Sequence, residues 1–316
     1  MTAESGRIPA PSHARQRAAA SSFSAGLLGL PLSVMLAMAG LGAPRLLAED
    51  TAELSRQAAA AMRAQRFAEA EARYRKLVEL EPVNPMWRMN LGLALFSAGR
   101  YANAVPEFEA FLKAKPEAGA VHLLLGTSLL KLGRPCPAIA ILEKAVQWNQ
   151  DRPMLELADA YYGCKRFERA ARAYEAAART SRNPAVSRQA AHCYWQARLY
   201  PDARRIFQTL EPEFANEPEF QYEFGDTLAR MDGPEAGLPY LQKAVAAKPE
   251  LLAARGELGK ALLATGDAAG AIPHLEAASR NDATLLLPLS RAYRAAGREA
   301  DAERTQKQYR QRVNEK

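Results

Sequence analysis

From about residue 51 onward the chain alternates between two kinds of stretch. In the first, apolar side chains recur three or four positions apart, which is the spacing of one helix face. In the second, a short polar break carries Gly or Pro. The segment "NLGLALFSAGRYANAVPEFEAFLKAKPEA", Asn90 to Ala118, holds one full cycle. A helical stretch runs to a break at Ala98-Gly99-Arg100, and a second helical stretch is closed by Pro116. Proline stops a helix because it lacks the amide proton and crowds the preceding turn. Each cycle therefore predicts two helices, A and B, joined by a tight turn.

The cycle recurs along the chain. Gly92 in helix A has counterparts at Gly126, Ala158, Ala191, Gly225, Gly259 and Ser290. Ala104 in helix B has counterparts at Ala70, Ala138, Ala170, Ala203, Gly237, Ala271 and Ala302, with steps of 34, 34, 32, 33, 34, 34 and 31 residues. Phe108, one turn further on, matches Tyr74, Leu142, Tyr174, Phe207, Leu241 and Leu275. Three offsets held in phase over this length make a repeat, not a chance likeness. The small residues let helices A and B approach closely, and the large apolar residue fills the space beside them. Breaks recur at Leu132-Gly133-Arg134, Thr265-Gly266-Asp267 and Ala296-Gly297-Arg298, and B helices end at Pro82, Pro116 and Pro249.

These residues resemble the tetratricopeptide repeat: a period near 34, a W-x-x-L-G pattern approximated by Trp87, Leu91 and Gly92, then Ala, an aromatic and a terminal Pro. The resemblance implies an all-α fold, a right-handed superhelical solenoid of antiparallel helix pairs, with about eight repeats over residues 49–316. The fourth, fifth and eighth repeats depart from the pattern by insertions, deletions or loss of the terminal Pro. The eighth has Glu299 where an aromatic is usual, and its tail "QKQYRQRVNEK" reads as the polar cap that an open-ended stack needs. Pro106, Pro239 and Pro273 share one phase and are expected near the first turn of helix B, where few amides have partners. Pro135 and Pro234 suit the first helical position.

The beginning of the chain breaks this pattern. "AGLLGLPLSVMLAMAGLGA", Ala25 to Ala43, is apolar without helical period, follows Arg7, Arg15 and Arg17, and precedes Glu49 and Asp50. A basic start, an apolar middle and small residues at the end describe a secretory signal over residues 1–48. The alternative is an uncleaved anchor, which also sends the remainder out of the cytoplasm. Membrane contact is then expected only through this segment. High Ala and Arg usage points to a GC-rich bacterial source, hence to the periplasm.

Charge changes the picture little. The net charge is +7, of which the first 48 residues carry +3, leaving a dispersed +4. That is too weak to argue for nucleic acid. RNA reading by the related pentatricopeptide architecture is further disfavoured by the export signal and the B-helix prolines.

Catalytic chemistry is not found. His122, His192 and His274 fall in different repeats at different phases, so no metal cluster is expected. "GELGKAL", Gly256 to Leu262, lacks the upstream Gly and the Ser/Thr of a phosphate loop. No Gly-flanked Ser elbow and no His-Glu-x-x-His occurs. The expectation is a non-enzyme with no cofactor, or an accessory subunit of an envelope enzyme or biogenesis complex without catalytic residues of its own.

Two features follow from the resemblance. In such a stack helix B runs antiparallel to the next helix A, which sets Cys136 beside Cys164. The expected disulfide closes a loop whose entropy is worth roughly 3–4 kcal/mol, the alternative being two unlinked thiols. Cys193 is expected as a plain buried thiol. The family's helix A faces also line a concave groove where protein or peptide partners dock. Carried over by phase, the groove positions of the central repeats are Leu155, Asp159, Tyr162, Arg188, His192, Trp195, Tyr222, Asp226 and Arg230. Aromatics mixed with Arg and acids favour interaction surfaces. The alternative for Tyr162 and Trp195 is simple contact between neighbouring A helices. The two-carboxylate clamp of chaperone-binding members is not matched, because Ser55 and Ala59 stand where Lys and Asn are wanted.

Overall fold

The computed structural model describes residues 43–148 and 153–314. The chain divides into two units, 1–52 and 53–316, and the description below concerns the second. The expected leader falls outside the described residues except for Ala43–Ala48, which are helical. Among the described residues no helix is long and apolar enough to cross a membrane.

Among the described residues sixteen α-helices follow one another in consecutive pairs: α1 Ala43–Arg63, α2 Phe67–Leu80, α3 Pro85–Ser97, α4 Tyr101–Ala114, α5 Gly119–Lys131, α6 Pro135–Trp148, α7 Met154–Gly163, α8 Phe167–Ser181, α9 Pro184–Gln196, α10 Tyr200–Phe214, α11 Pro218–Met231, α12 Pro234–Ala247, α13 Leu252–Ala264, α14 Ala268–Ser279, α15 Leu286–Ala295 and α16 Glu299–Asn314. A 3-10 turn, Ala283–Leu285, precedes α15. Each odd helix is the A helix of one repeat and each even helix its B helix, which gives the eight repeats read from the landmarks. From α2 onward every helix also contacts the one that follows it in the chain, so these repeats form a continuous antiparallel stack. Successive odd helices approach each other as well: α3 with α5, α5 with α7, α9 with α11, α11 with α13 and α13 with α15.

The landmarks do what their sizes predict. A Cβ at Gly92 would sit 2.7 Å from the Phe108 ring, and one at Gly259 would sit 2.6 Å from Leu275 Cγ, so the large residue of each B helix occupies the space that glycine leaves on its A helix. Phe108, Leu142, Phe207, Leu241 and Leu275 are fully buried. In the sixth repeat both landmarks are glycine. A Cβ at Gly237 would meet the Gly225 carbonyl and stand 2.7 Å from Ala229 Cβ, so α11 and α12 touch backbone to backbone. One cluster of buried apolar side chains ends at Leu228 and the next begins at Leu241, on either side of that contact.

Turn chemistry explains the breaks. Gly99, Gly133, Gly266 and Gly297 adopt φ of 73°, 67°, 92° and 75°, the left-handed conformation that glycine takes without a steric penalty. The first, fourth and fifth repeats put Gln65, Lys165 and Arg198 at φ of 57°, 57° and 59° in the same place, where a Cβ costs roughly 1–2 kcal/mol. Asn84 and Asn183 cap α3 and α9, accepting from the Met86 and Ala185 amides, each followed by a proline in the first turn.

One expectation is corrected. Pro106, Pro239 and Pro273 lie inside α4, α12 and α14, each at the sixth helical residue rather than in the first turn. Each removes one helical amide and frees a carbonyl four residues earlier. All three prolines are exposed, so that carbonyl stands on the solvent side where water can bond it. Pro135 and Pro234 open α6 and α12 as expected.

Candidate functional site

Residues three or four apart on one helix share a face, and this places Asp159 and Tyr162 together on α7. Arg188, His192 and Trp195 follow on α9, then Tyr222, Asp226 and Arg230 on α11. Their side chains link across the stack. Tyr162 and His192 have ring centroids 5.9 Å apart, His192 and Trp195 5.8 Å, and Trp195 meets Tyr222 edge to face at 5.4 Å. The row thus crosses three repeats. Trp195 and Tyr162 do make the contacts between neighbouring odd helices that the simpler reading expected, yet Tyr162 keeps 41% of its surface exposed.

Two buried carboxylates hold the row from beneath. Glu223, on α11, accepts from Arg188 Nη1 at 2.7 Å through one oxygen and meets His192 Nδ1 at 2.8 Å through the other. The Arg188 guanidinium in turn lies 5.6 Å and 5.5 Å from the Phe207 and Phe220 ring centres. With Nδ1–H donating to Glu223, a neutral His192 turns Nε2 toward the Tyr162 hydroxyl, 3.4 Å away. Asp226 accepts from Trp195 Nε1 at 2.7 Å and from Arg230 Nε at 2.9 Å. Arg230 also reaches Glu257 on α13 at 3.8 Å, and Glu257 accepts from Lys260 at 2.5 Å.

The titratable groups bear the mark of this enclosure. Burial raises the Tyr222 hydroxyl, and the Asp226 charge adds to it. Burial raises the Glu257 carboxyl, Asp226 pushes the same way, and Lys260 and Arg230 only partly offset them. Burial alone would lower Arg230, but its bond to Asp226 and the charges of Asp226 and Glu257 hold it up.

Seven of the nine residues predicted for the groove therefore form one linked set; Leu155, on α7, is exposed. Asp159 stands apart: it is exposed and accepts from the Tyr174 hydroxyl of its own B helix at 2.5 Å, which with burial raises that hydroxyl. Asp226 is 3% exposed, so it orients Trp195 and Arg230 instead of presenting a free carboxylate. Glu223, which the sequence reading missed, is the residue that joins Arg188 to His192. Its only sequence signal is position: it lies two residues before the Gly225 landmark, next to the groove phase.

Cys136, near the start of α6, and Cys164, which caps α7, stand side by side with Cα atoms 5.4 Å apart, inside the span a bridge requires. A Cβ at the neighbouring Gly163 would be 2.7 Å from Pro135, so this junction is closely fitted. Cys193 is fully buried, as expected, and burial pushes its thiol up to about 12. Among the described residues no three His, Cys, Asp or Glu side chains converge as metal ligands.

Two family profiles, both described as tetratricopeptide repeat, match residues 55–108 and 222–285 and residues 95–160 and 161–222, together an unbroken run from 55 to 285. No curated protein matches the chain. Among solved structures, the C-terminal part of a TPR repeat-containing protein from Cytophaga hutchinsonii is similar over 72% of this chain and 95% of its own, with a TM-score of 0.51 and 19% identity. A tetratricopeptide repeat protein from Parabacteroides merdae covers 77% of this chain and 99% of its own, with a TM-score of 0.46 and 15% identity. YrrB, a TPR protein with an unusual peptide-binding site, covers 53% and 90%, with a TM-score of 0.44 and 22% identity.

Proposed function

Since the chain belongs to the tetratricopeptide repeat family, we propose that it is a non-catalytic scaffold that holds a protein or peptide partner on the faces of α7, α9, α11 and α13. One observation carries this reading: the row of Tyr162, His192, Trp195 and Tyr222, fixed from below by Glu223 and Asp226. Rings and guanidinium groups concentrate binding energy. Here they are already ordered by hydrogen bonds, so a partner meets them with less entropy left to lose.

The reading extends to compartment. The basic, apolar and small-residue order of the first 48 residues supports export, and the periplasm is the proposed location. The meeting of Cys136 and Cys164 supports a disulfide there. Intact mass after alkylation of the unfolded, unreduced protein tests the bond. One labelled thiol, Cys193, is expected, and three would remove the bond.

The function is tested by placing a photoreactive benzoylphenylalanine at Tyr162 and, as a control, at the exposed Arg172 of α8. The expected result is a partner adduct from position 162 and none from 172. Equal adducts from both positions, or none from 162, would take the site off this face. The identity of the captured protein separates a free-standing scaffold from a subunit of an envelope complex.

A further inference from the structure

The row of side chains ends in a cleft of about 290 Å³ between α11, α13 and the 3-10 turn before α15. Gly256 lines it and stands at the phase that Arg188 and Tyr222 occupy in the preceding repeats. Leu285 takes up the space beside this glycine, where a Cβ would lie only 2.8 Å from its Cδ1. Tyr222 forms one side, and Glu257, Lys260 and Asp282 supply the charges. A cleft lined by both apolar and charged side chains suits a long side chain with a charged head better than a short or branched one.

The charges decide the sign of that head. Of the charged residues that line the cleft, Glu257 and Asp282 are acidic and Lys260 is basic. Lys260 is already held by Glu257 at 2.5 Å, and Asp226 by Arg230 at 2.9 Å. Asp282 caps the turn through the Thr284 amide at 2.9 Å. Burial and the neighbouring Asp226 charge leave the Glu257 carboxylate under-compensated, its proton held more tightly than usual. An arriving cation relieves that deficit, whereas an arriving carboxylate deepens it.

We propose that this cleft is the specificity pocket of the groove and takes one lysine or arginine side chain of an extended peptide. The aliphatic stem lies along Tyr222 and Leu285, and the charged end pairs with Glu257. The proposal rests on the scaffold reading above and names what that scaffold selects.

A random heptapeptide library displayed on phage, panned against the full chain and read by deep sequencing, tests both. The expected outcome is enrichment of peptides with Lys or Arg at one fixed position. Binding of the best synthetic peptide should weaken about tenfold on Glu257→Gln. Panning on Glu257→Lys should move the preference at that position to Asp or Glu, a gain that a merely unfolded variant cannot give. Enriched peptides without a fixed basic residue overturn the pocket and leave the scaffold standing. A basic preference that survives both Glu257 variants places the selection elsewhere and also overturns it. No enrichment at all counts against the peptide-holding scaffold, and the pocket falls with it.

Discussion

The inner faces of α3 and α5 and those of α9 and α11 sit at the same phases of the repeat, yet they are built on different chemistry. Leu93 stands where His192 and Asp226 stand in later repeats, Leu123 where Arg188 and Tyr222 stand, and Leu130 where Trp195 stands. An apolar side chain asks only to be covered, and many neighbours can do that. A carboxylate such as Glu223 asks for donors at set distances and angles. Hence α3 and α5 meet through contacts without direction, while α9 and α11 are held in one relative placement by named bonds.

Removing the acid at the centre should cost most. Glu223→Ala leaves Arg188, only 14% exposed in its side chain, without its carboxylate, and a loss of about 3 kcal/mol is expected from the urea unfolding midpoint. A loss below 1 kcal/mol would show that the two halves are held alike after all. Gly237→Ala comes next. Its methyl group is driven toward the Gly225 carbonyl, and overpacking of this kind costs about 2 kcal/mol. Ala104 tolerates the same methyl in the second repeat, so a neutral Gly237→Ala would mean that α11 and α12 can separate without penalty.

Trp195→Phe keeps most of the ring but leaves buried Asp226 one donor short, and a loss of about 1 kcal/mol is expected by the same assay. The pH response is subtler. The Glu257 carboxyl is raised above 4.5 in the folded chain. The folded state therefore holds this proton more tightly than the unfolded one. That contribution to stability is present in acid and is lost as the pH climbs past 4.5 through the raised value. Glu257→Gln should flatten this part of the profile, and an unchanged slope would assign it to another group. On the apolar half, Met86→Gln, at a site 43% exposed, should leave stability within about 0.5 kcal/mol.

The pairing of helices was readable because it depends on size alone. Gly92 against Phe108 and Gly259 against Leu275 are contacts within one repeat, and their phase is fixed by helix geometry. The aromatic row was readable for the same reason, since Tyr162, His192, Trp195 and Tyr222 fall on the A helices at recurring phases. Glu223 was not, because a glutamate on a seam between odd helices looks the same in sequence as one on a solvated face. Its role depends on how closely α9 approaches α11, which no single repeat encodes. The positions of Pro106, Pro239 and Pro273 were misplaced by a turn because their helices begin earlier than the prolines suggest. The cleft beside Gly256 was hidden for a plainer reason: its lining residues come from separate elements that only the packed chain brings together.

The glycine pair of the sixth repeat also bears on how such a chain can change over generations. Repeat arrays grow and vary when recombination exchanges one copy for another. A crossover that joined α11 to the second helix of another repeat would bring an alanine to the place of Gly237, as at Ala104, Ala203 or Ala271. That methyl has no room against the Gly225 carbonyl. The two helices of this repeat are therefore expected to be inherited together, while their neighbours remain freer to trade halves.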